Sequence, residues 1–144
     1  LSGFRNKKIG FVFQFFYLQP FLSLTRNVEI PLMFAGDKKQ ERNEKSKKFV
    51  DAVGLEDRAR HLPKELSGGQ IQRTAIARAL VNNPKLVLAD EPTGNLDREN
   101  GDQIMDLFEE IRTQYNTAVL LVTHDVRTAA RADRVIEIED GAIL

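Results

Sequence analysis

Cysteine is absent from this sequence of 144 residues. Disulfide frameworks, thiolate zinc sites and thiol nucleophiles are therefore excluded, which fits a reducing cytoplasm. Charge of one sign is not in excess either, because Lys plus Arg and Asp plus Glu number 21 each, and this balance gives no indication of nucleic acid as a partner. What is present is the composition of a globular domain, 42% hydrophobic and 29% charged, in a chain long enough to bury a core.

Long apolar runs are also lacking, since none approaches the roughly 20 residues that a membrane helix needs. The amino terminus has no signal-peptide pattern of basic residues, apolar run and cleavage site. Any connection to a membrane is therefore expected to run through a partner protein. The first residue is Leu1 rather than methionine, which suggests that the chain is truncated.

Three short apolar runs are each followed by a polar side chain. Because these runs alternate with helical segments, they predict a largely parallel sheet covered by helices. Ligands of such sheets bind beyond the carboxyl ends of the strands, so we predict that the polar side chains converge on one edge. The runs and the residues that follow them are 9–13 with Gln14, 86–89 with Asp90 and Glu91, and 118–122 with His124.

Between these runs the pattern predicts helices. A charged helix is expected over residues 37–53, and its basic residues are interpreted as a solvated face rather than a nucleic-acid patch. Ser67 is a natural N-cap for a second helix, and a third is predicted over 97–112. Pro20 and Pro31 are expected to break any long helix in residues 15–36. Near the end of the chain, Gly141 lies at the turn of a predicted hairpin.

The acidic pair Asp90 and Glu91 suits a phosphate site that needs magnesium. Mg²⁺ takes one or two carboxylates together with waters and phosphate oxygens, so Asp90 would hold the hydrated metal and Glu91 would position or deprotonate the attacking water. The alternative for an isolated Asp-Glu pair is a helix cap or a solvated turn.

Residues 66–70 read Leu-Ser-Gly-Gly-Gln. Two glycines at the start of a helix let the backbone approach an anion closely, and the free N–H groups favour phosphate oxygens. The alternative is a simple N-cap after a flexible loop.

His124 is ambiguous by itself. It is a structural residue, a donor to a γ-phosphate, or a general base. A zinc site is not expected, because the chain has no cysteine and no second histidine at a suitable spacing. The other histidine, His61, is interpreted as a surface residue.

Together these segments occur in the order of the motifs of the ABC ATPases. Leu-Ser-Gly-Gly-Gln is the ABC signature itself, and the resemblance covers nearly the whole chain. The matching segments are Gln14 for the Q-loop, 66–70 for the signature, 86–92 for Walker B with its catalytic glutamate, 95–97 for the D-loop and 123–125 for the H-loop.

The resemblance implies an α/β fold of the P-loop NTPase (RecA-like) class, with a parallel sheet core and an inserted α-helical signature subdomain. It implies core sequence in 1–14, the helical subdomain in 15–82 and core again in 83–144. It also implies ATP and Mg²⁺ as ligands, and a homodimer or paired ATPase subunit that sandwiches ATP. The implied roles are Asp90 and Gln14 around Mg²⁺, Glu91 on the attacking water, His124 on the γ-phosphate, Ser67, Gly68, Gly69 and Gln70 on the ATP of the other subunit, and Asp97 across the dimer interface.

Within the family, residues 27–32 and 89–97 resemble the branch of lipoprotein release and macrolide export. That branch implies an integral membrane permease as partner, contacted by the aromatic segment after Gln14, and a place on the cytoplasmic face of the membrane. Two alternatives remain: the ATPase of a cell-division or signalling complex, and a soluble ABC ATPase. Chromosome-type soluble ATPases carry long coiled-coil inserts, whereas Gln14 and Leu66 are only 52 positions apart.

One family motif is missing. The Walker A pattern needs glycine followed by lysine, and none of the nine glycines is followed by lysine. About the first third of the family's domain is therefore expected to be absent, including a Walker A strand expected beside the Walker B strand. We expect the remaining sheet to expose an apolar edge and face, and these 144 residues alone to turn over no ATP.

Overall fold

Three parallel strands form the centre of the fold: β1 (Ile9–Phe13), β2 (Leu86–Asp90) and β3 (Ala118–Val122). The structure is a computed structural model that describes residues 8–144. The strand order is β1-β2-β3. Phe13 pairs with Asp90, which pairs in turn with Val122, so all three strands end at the same edge of the sheet. The predicted strands and their parallel arrangement are confirmed.

The expectation that a Walker A strand lies beside β2 is wrong. A strand has two hydrogen-bonding edges, and those of β2 are taken by β1 and β3. Within residues 8–144, β1 and β3 each have one edge without a partner strand. A further strand of this sheet would have to pair there.

Helices cover one face of the sheet. The helices predicted over 37–53, after Ser67 and over 97–112 are all present, close to their predicted positions. No helix in residues 8–144 has the length and apolarity to cross a membrane. The helices are α1 (Leu24–Ala35), α2 (Lys39–Ala52), α3 (Gly68–Leu80), α4 (Arg98–Tyr115) and the short α5 (Val126–Ala129), with 3₁₀ turns at Glu56–Arg58 and Pro63–Glu65.

The helix α1 contradicts the prediction that Pro31 breaks helical structure, because Pro31 lies inside it. A proline in a helix interior costs about 3 kcal/mol. Against this, Leu24, Val28 and Leu32 recur at every fourth position and are fully buried, and each such side chain stabilises by about 1.5–3 kcal/mol. The burial of this stripe therefore outweighs the lost hydrogen bond. Gly36, at φ 81°, ends the helix.

The two faces of the sheet differ in burial. Val12, Val87 and Ala89 are buried in the main core. The strand β3 is nowhere fully buried, although its sequence is apolar throughout. The predicted exposed apolar face is therefore present within the described residues. The larger side chains that β1 and β3 leave exposed are Phe11, Phe13, Leu120 and Val122.

The predicted hairpin near the end of the chain is confirmed. Its strands β4 (Ile138–Glu139) and β5 (Ala142–Ile143) are antiparallel and two residues long. Asp140 at φ 49° and Gly141 at φ 79° form the turn, and two consecutive positive φ angles are typical of a type I′ turn. In residues 8–144 this hairpin is a sheet separate from β1–β3.

Candidate functional site

The site lies where the strands end, and Glu91 shows how the backbone forms it. Glu91 directly follows β2 and has a left-handed conformation at φ 44°, which is uncommon for a residue other than glycine. Its N–H donates to the carbonyl oxygen of Val122, 2.9 Å away. The pairing of β2 with β3 is thereby extended by one residue, and it places Glu91 beside the segment that follows β3.

The Glu91 carboxylate is bound by that segment. Its Oε1 lies 2.6 Å from Nδ1 of His124 and accepts a hydrogen bond from the His124 backbone N–H at 3.0 Å. The hydroxyl of Thr123 donates to Oε2 at 3.4 Å. The His124 side chain is 85% exposed. When Nδ1 binds the Glu91 carboxylate, the other ring nitrogen, Nε2, remains available to a ligand.

Gln14 is attached to the loop that follows Glu91. The backbone carbonyl oxygen of Gln14 accepts a hydrogen bond from Nδ2 of Asn95 at 2.8 Å. Its side-chain amide lies against Gly94, where an added Cβ would come within 2.9 Å of the Gln14 nitrogen. Glycine at position 94 thus lets the Gln14 amide lie against the loop, and an added Cβ would displace the end of this flexible side chain.

Asp90 ends β2 opposite Phe13 and is exposed. Its carboxylate forms no hydrogen bond or ion pair with any of residues 8–144, so it is available to a ligand. In that part of the chain, no three Asp, Glu or His side chains form a group that could hold a metal ion. A cation at Asp90 would need oxygens from water or from a bound phosphate, which is the coordination that Mg²⁺ prefers.

The predicted N-cap at Ser67 is confirmed. The Ser67 hydroxyl accepts a hydrogen bond from the N–H of Gln70 at 3.3 Å, and Oε1 of Gln70 accepts from the N–H of Ser67 at 3.0 Å. This reciprocal capping box begins α3. Ser67 and Gly68 are exposed, and the first N–H groups of a helix have no partner inside it. The cap therefore coexists with an accessible helix N-terminus, which suits an anion.

Asp97 caps α4. Its carboxylate accepts hydrogen bonds from the backbone N–H of Asn100 at 2.9 Å and from the side-chain amide of Asn100 at 2.7 Å. These bonds, the backbone one first, hold the pKa of Asp97 below its ordinary value. Asn100 also lies against Gly69, since a Cβ added there would be 2.5 Å from its Oδ1. Asp97 thus lies next to the start of α3.

Sequence reasoning missed Gln72. This side chain of α3 is fully buried, and its amide nitrogen donates to the carbonyl oxygen of Pro92 at 2.6 Å. It therefore connects α3 to the residue that follows Glu91. A polar side chain on the same helical face as Ile76 and Ala79 was the signal, because a buried polar group in an apolar stripe needs a hydrogen-bond partner.

The predicted convergence is confirmed for one group of residues. Gln14, Asp90, Glu91 and His124 all follow or end strands at the same edge of the sheet. Residues 67–70 form a second group at the start of α3, and no hydrogen bond joins them to Gln14, Glu91 or His124.

Comparison with known proteins identifies the family. A family model described as ABC transporter matches residues 2–94. Two solved structures of MJ0796, a bacterial ABC transporter cassette, are similar over 99% of this chain, both with a TM-score of 0.85. One is the dimeric cassette at 43% identity, and the other is a dimeric post-hydrolysis state bound to ADP and Pi at 42% identity.

The present chain spans 63% of the length of MJ0796 in both structures. The shared part contains the strand edge with Gln14, Asp90, Glu91 and His124, together with the capped helix at Ser67. The fold is that of the MJ0796 cassette over the aligned residues. On the family match and on this identity, the chain belongs to the ABC transporter family.

Proposed function

We propose that this chain is part of an ATP-hydrolysing subunit whose reaction is carried out at the edge formed by Gln14, Asp90, Glu91 and His124. The observation that carries the proposal is the Glu91 carboxylate held by the backbone N–H and the ring of His124, beside a free Asp90. A carboxylate oriented by a neighbouring histidine is the arrangement that a general base needs.

Asp90 and Gln14 would hold Mg²⁺. They offer one carboxylate and one amide oxygen, which leaves the remaining positions to water and to phosphate oxygens, as Mg²⁺ prefers. Mg²⁺ bound there would neutralise charge that develops on the phosphate oxygens. Gln14 is kept at this position by Asn95 and by the close approach to Gly94.

Glu91 would accept a proton from the attacking water or orient it. Nε2 of His124 would donate to the γ-phosphate in the cationic form of the ring, in which both nitrogens carry a proton. The hydrogen bonds from His124 position the Glu91 carboxylate and keep it next to the ring. General-base assistance contributes about 10²–10⁴-fold to a rate, which is the share of the acceleration that Glu91 would supply.

Residues 67–70 and Asp97 would act on the ATP of a second subunit. Ser67 and Gly68 are exposed at a helix N-terminus, and Asp97 lies beside them through Asn100 and Gly69. Oε1 of Gln70 accepts from the Ser67 N–H in the cap, so the side-chain amide nitrogen, which is a donor, is the atom that would reach a phosphate oxygen. MJ0796, the similar cassette, was solved as a dimer. The helical subdomain would comprise residues 15–82, and the core would comprise residues 1–14 and 83–144.

The test is Glu91→Gln in the full-length parent protein. The amide cannot accept the proton, so we expect ATP hydrolysis to fall by about 10²–10⁴-fold while ATP binding and dimerisation persist. Turnover is measured by phosphate release, and dimerisation by sedimentation in the presence of ATP. The matched control is Glu110→Gln on the exposed side of α4, which forms no ion pair with other described residues. Turnover of the Glu91 variant at the rate of this control would overturn the catalytic assignment.

The energy of hydrolysis would power a membrane transporter of the export or lipoprotein-release type. Support comes from three aromatic side chains close to Gln14, namely Phe15, Tyr17 and Phe21, which are 67%, 62% and 89% exposed. Such an exposed aromatic group is typical of a surface that binds a partner. The proposed partner is an integral membrane permease, to which this subunit would bind at the cytoplasmic face of the membrane.

The neighbouring gene distinguishes this role from its alternatives. We expect it to encode a permease with a large extracytoplasmic domain, co-purifying with the full-length subunit. Loss of the complex on Phe21→Ser, with ATP hydrolysis of the isolated subunit unchanged, would support the docking surface. A neighbour without membrane spans would overturn the transport role and favour a soluble ABC ATPase.

A further inference from the structure

Arg78 makes an unusual connection between α3 and the segment that follows Gln14. Its guanidinium donates to the backbone carbonyl oxygen of Phe16 and to that of Tyr17, both at 2.7 Å. The side chain is half-buried, and this burial lowers the pKa of Arg78. No carboxylate in residues 8–144 forms an ion pair with it. The two carbonyl groups are therefore the partners that this charge has.

The two residues that Arg78 contacts are both left-handed. Phe16 has a φ of 56° and Tyr17 a φ of 46°. Bulky side chains rarely adopt this conformation, because Cβ comes too close to the backbone. Two such residues in succession require an external contact to hold them. The bidentate guanidinium supplies that contact, since it needs both carbonyl groups to point the same way.

The position of this turn relates it to the site. It begins two residues after Gln14, and Gln14 is itself bonded to the loop after β2. The same helix reaches that loop through Gln72, which donates to Pro92 next to Glu91. At its N-terminus α3 carries residues 67–70. The helix α3 thus contacts the turn after β1 and the loop after β2, and it carries the signature at its N-terminus.

We propose that Arg78 is a positioning residue for ATP hydrolysis, which holds the Phe16–Tyr17 turn and thereby keeps Gln14 in register with the helix that carries the signature. This inference rests on the proposed role of Gln14. It adds a function to a residue that lies outside the group formed by Gln14, Asp90, Glu91 and His124. Arg78 acts only through the backbone of the turn.

The test uses Arg78→Met in the full-length parent protein, because methionine keeps much of the apolar volume and removes all donors. We expect kcat to fall by about 10–100-fold, since small misplacements of catalytic groups have effects of this size. The KM for ATP should stay within about twofold, because the lost contact positions a catalytic group and does not bind nucleotide. The Mg²⁺ concentration for half-maximal activity should rise, since Gln14 is a proposed ligand.

A second readout does not depend on activity. Chymotrypsin cleaves after aromatic residues, and we expect its cleavage within residues 15–18 to accelerate by about fivefold or more once the turn opens. Cleavage elsewhere should not change. The matched control is Arg73→Met on the same helix, whose side chain donates to Gln103 of α4 and does not contact the turn. This control should leave kcat and the cleavage pattern as in the wild type.

Arg78→Lys keeps the charge and serves if the methionine variant does not fold. A lysine lacks the planar fork that binds two carbonyl groups. The kcat and the chymotrypsin cleavage rate of this variant should therefore be intermediate between those of the wild type and those of the methionine variant. Wild-type values of both for either Arg78 variant would overturn the proposal. General destabilisation, with cleavage accelerated equally at all sites and the kcat of the folded protein unchanged, would overturn it too.

Gln14→Ala separates this inference from the proposed function. If Gln14→Ala hydrolyses ATP at the wild-type rate, the proposed role of Gln14 fails, and with it the catalytic part of the inference. The cleavage readout then still decides whether Arg78 holds the turn. If Gln14→Ala is impaired and the Arg78 variants are not, only the inference about Arg78 fails.

Discussion

Glu91 has a left-handed backbone, and its carboxylate is bound by two groups of His124. Neither feature comes from its own segment. The conformation is stabilised by the hydrogen bond to Val122 of β3, and the carboxylate by the residue two positions beyond that strand. The strain of a left-handed glutamate, about 1–3 kcal/mol, is tolerated because β3 supplies these bonds.

Asp97 gives a prediction about pH. Because hydrogen bonds from Asn100 lower its pKa, its contribution to stability is fully present above its ordinary pKa of 3.8 and is lost as the pH falls through the lower folded value. We expect Asn100→Ala to raise the Asp97 pKa part of the way toward 3.8, since the backbone bond remains. Carboxyl NMR titration measures this pKa.

Asp97→Asn is the control for that titration. An uncharged asparagine still caps the helix, so this variant should lose the acid-dependent part of the stability and keep the capped α4. An Asp97 pKa that does not move in the Asn100 variant would contradict the assignment of its cause.

The helix α3 can lie against β1 because Gly10 has no side chain. A Cβ at position 10 would collide with the backbone oxygen of Ala79 and would come within 3.0 Å of its carbonyl carbon. Backbone atoms of a packed helix cannot move aside as a flexible side chain can. The distance between the central sheet and the signature helix therefore depends on this glycine.

We accordingly expect Gly10→Ala to destabilise the protein by about 1–3 kcal/mol, the usual range for overpacking. The matched control is Gly101→Ala in α4, where a Cβ would meet Thr93 at an ordinary 3.6 Å. In a helix interior, alanine increases stability by up to about 1 kcal/mol relative to glycine. The Gly101→Ala protein should therefore be as stable as the wild type or more stable. Urea unfolding measures both, and equal effects of the two substitutions would contradict the packing argument.

Taken whole, the molecule has a sheet with one covered face and one exposed face. The exposed side chains Phe11 and Leu120 belong to strands on either side of β2. A contiguous apolar surface of this kind favours association. Phe34 on α1 is also exposed, at 82%, but it belongs to a helix and not to the sheet.

For the chain of 144 residues we therefore expect binding of a hydrophobic dye and self-association, both reduced by the double substitution Phe11→Lys with Leu120→Lys. Lysines interrupt the apolar face, and strands bearing lysine resist edge-to-edge pairing. Phe34→Lys is the control and should change either property less. Dye fluorescence and sedimentation measure the effect. An equal or larger effect of the control would refute the role of the sheet face.

Local patterns in the sequence determined much of this protein. Apolar runs predicted the strands, Ser67 and Asp97 predicted helix starts, and the order of polar residues after the strands predicted the convergence at one edge. These features depend on neighbours a few positions apart and on the geometry of parallel strands.

Tertiary structure decided the rest. It kept Pro31 inside a helix, because burial of the α1 stripe outweighs one hydrogen bond. It gave β2 two neighbours within the described chain, and it left one sheet face exposed. It also joined Arg78 to Phe16, residues 62 positions apart. No local propensity encodes such contacts, since they form only when distant segments have packed together.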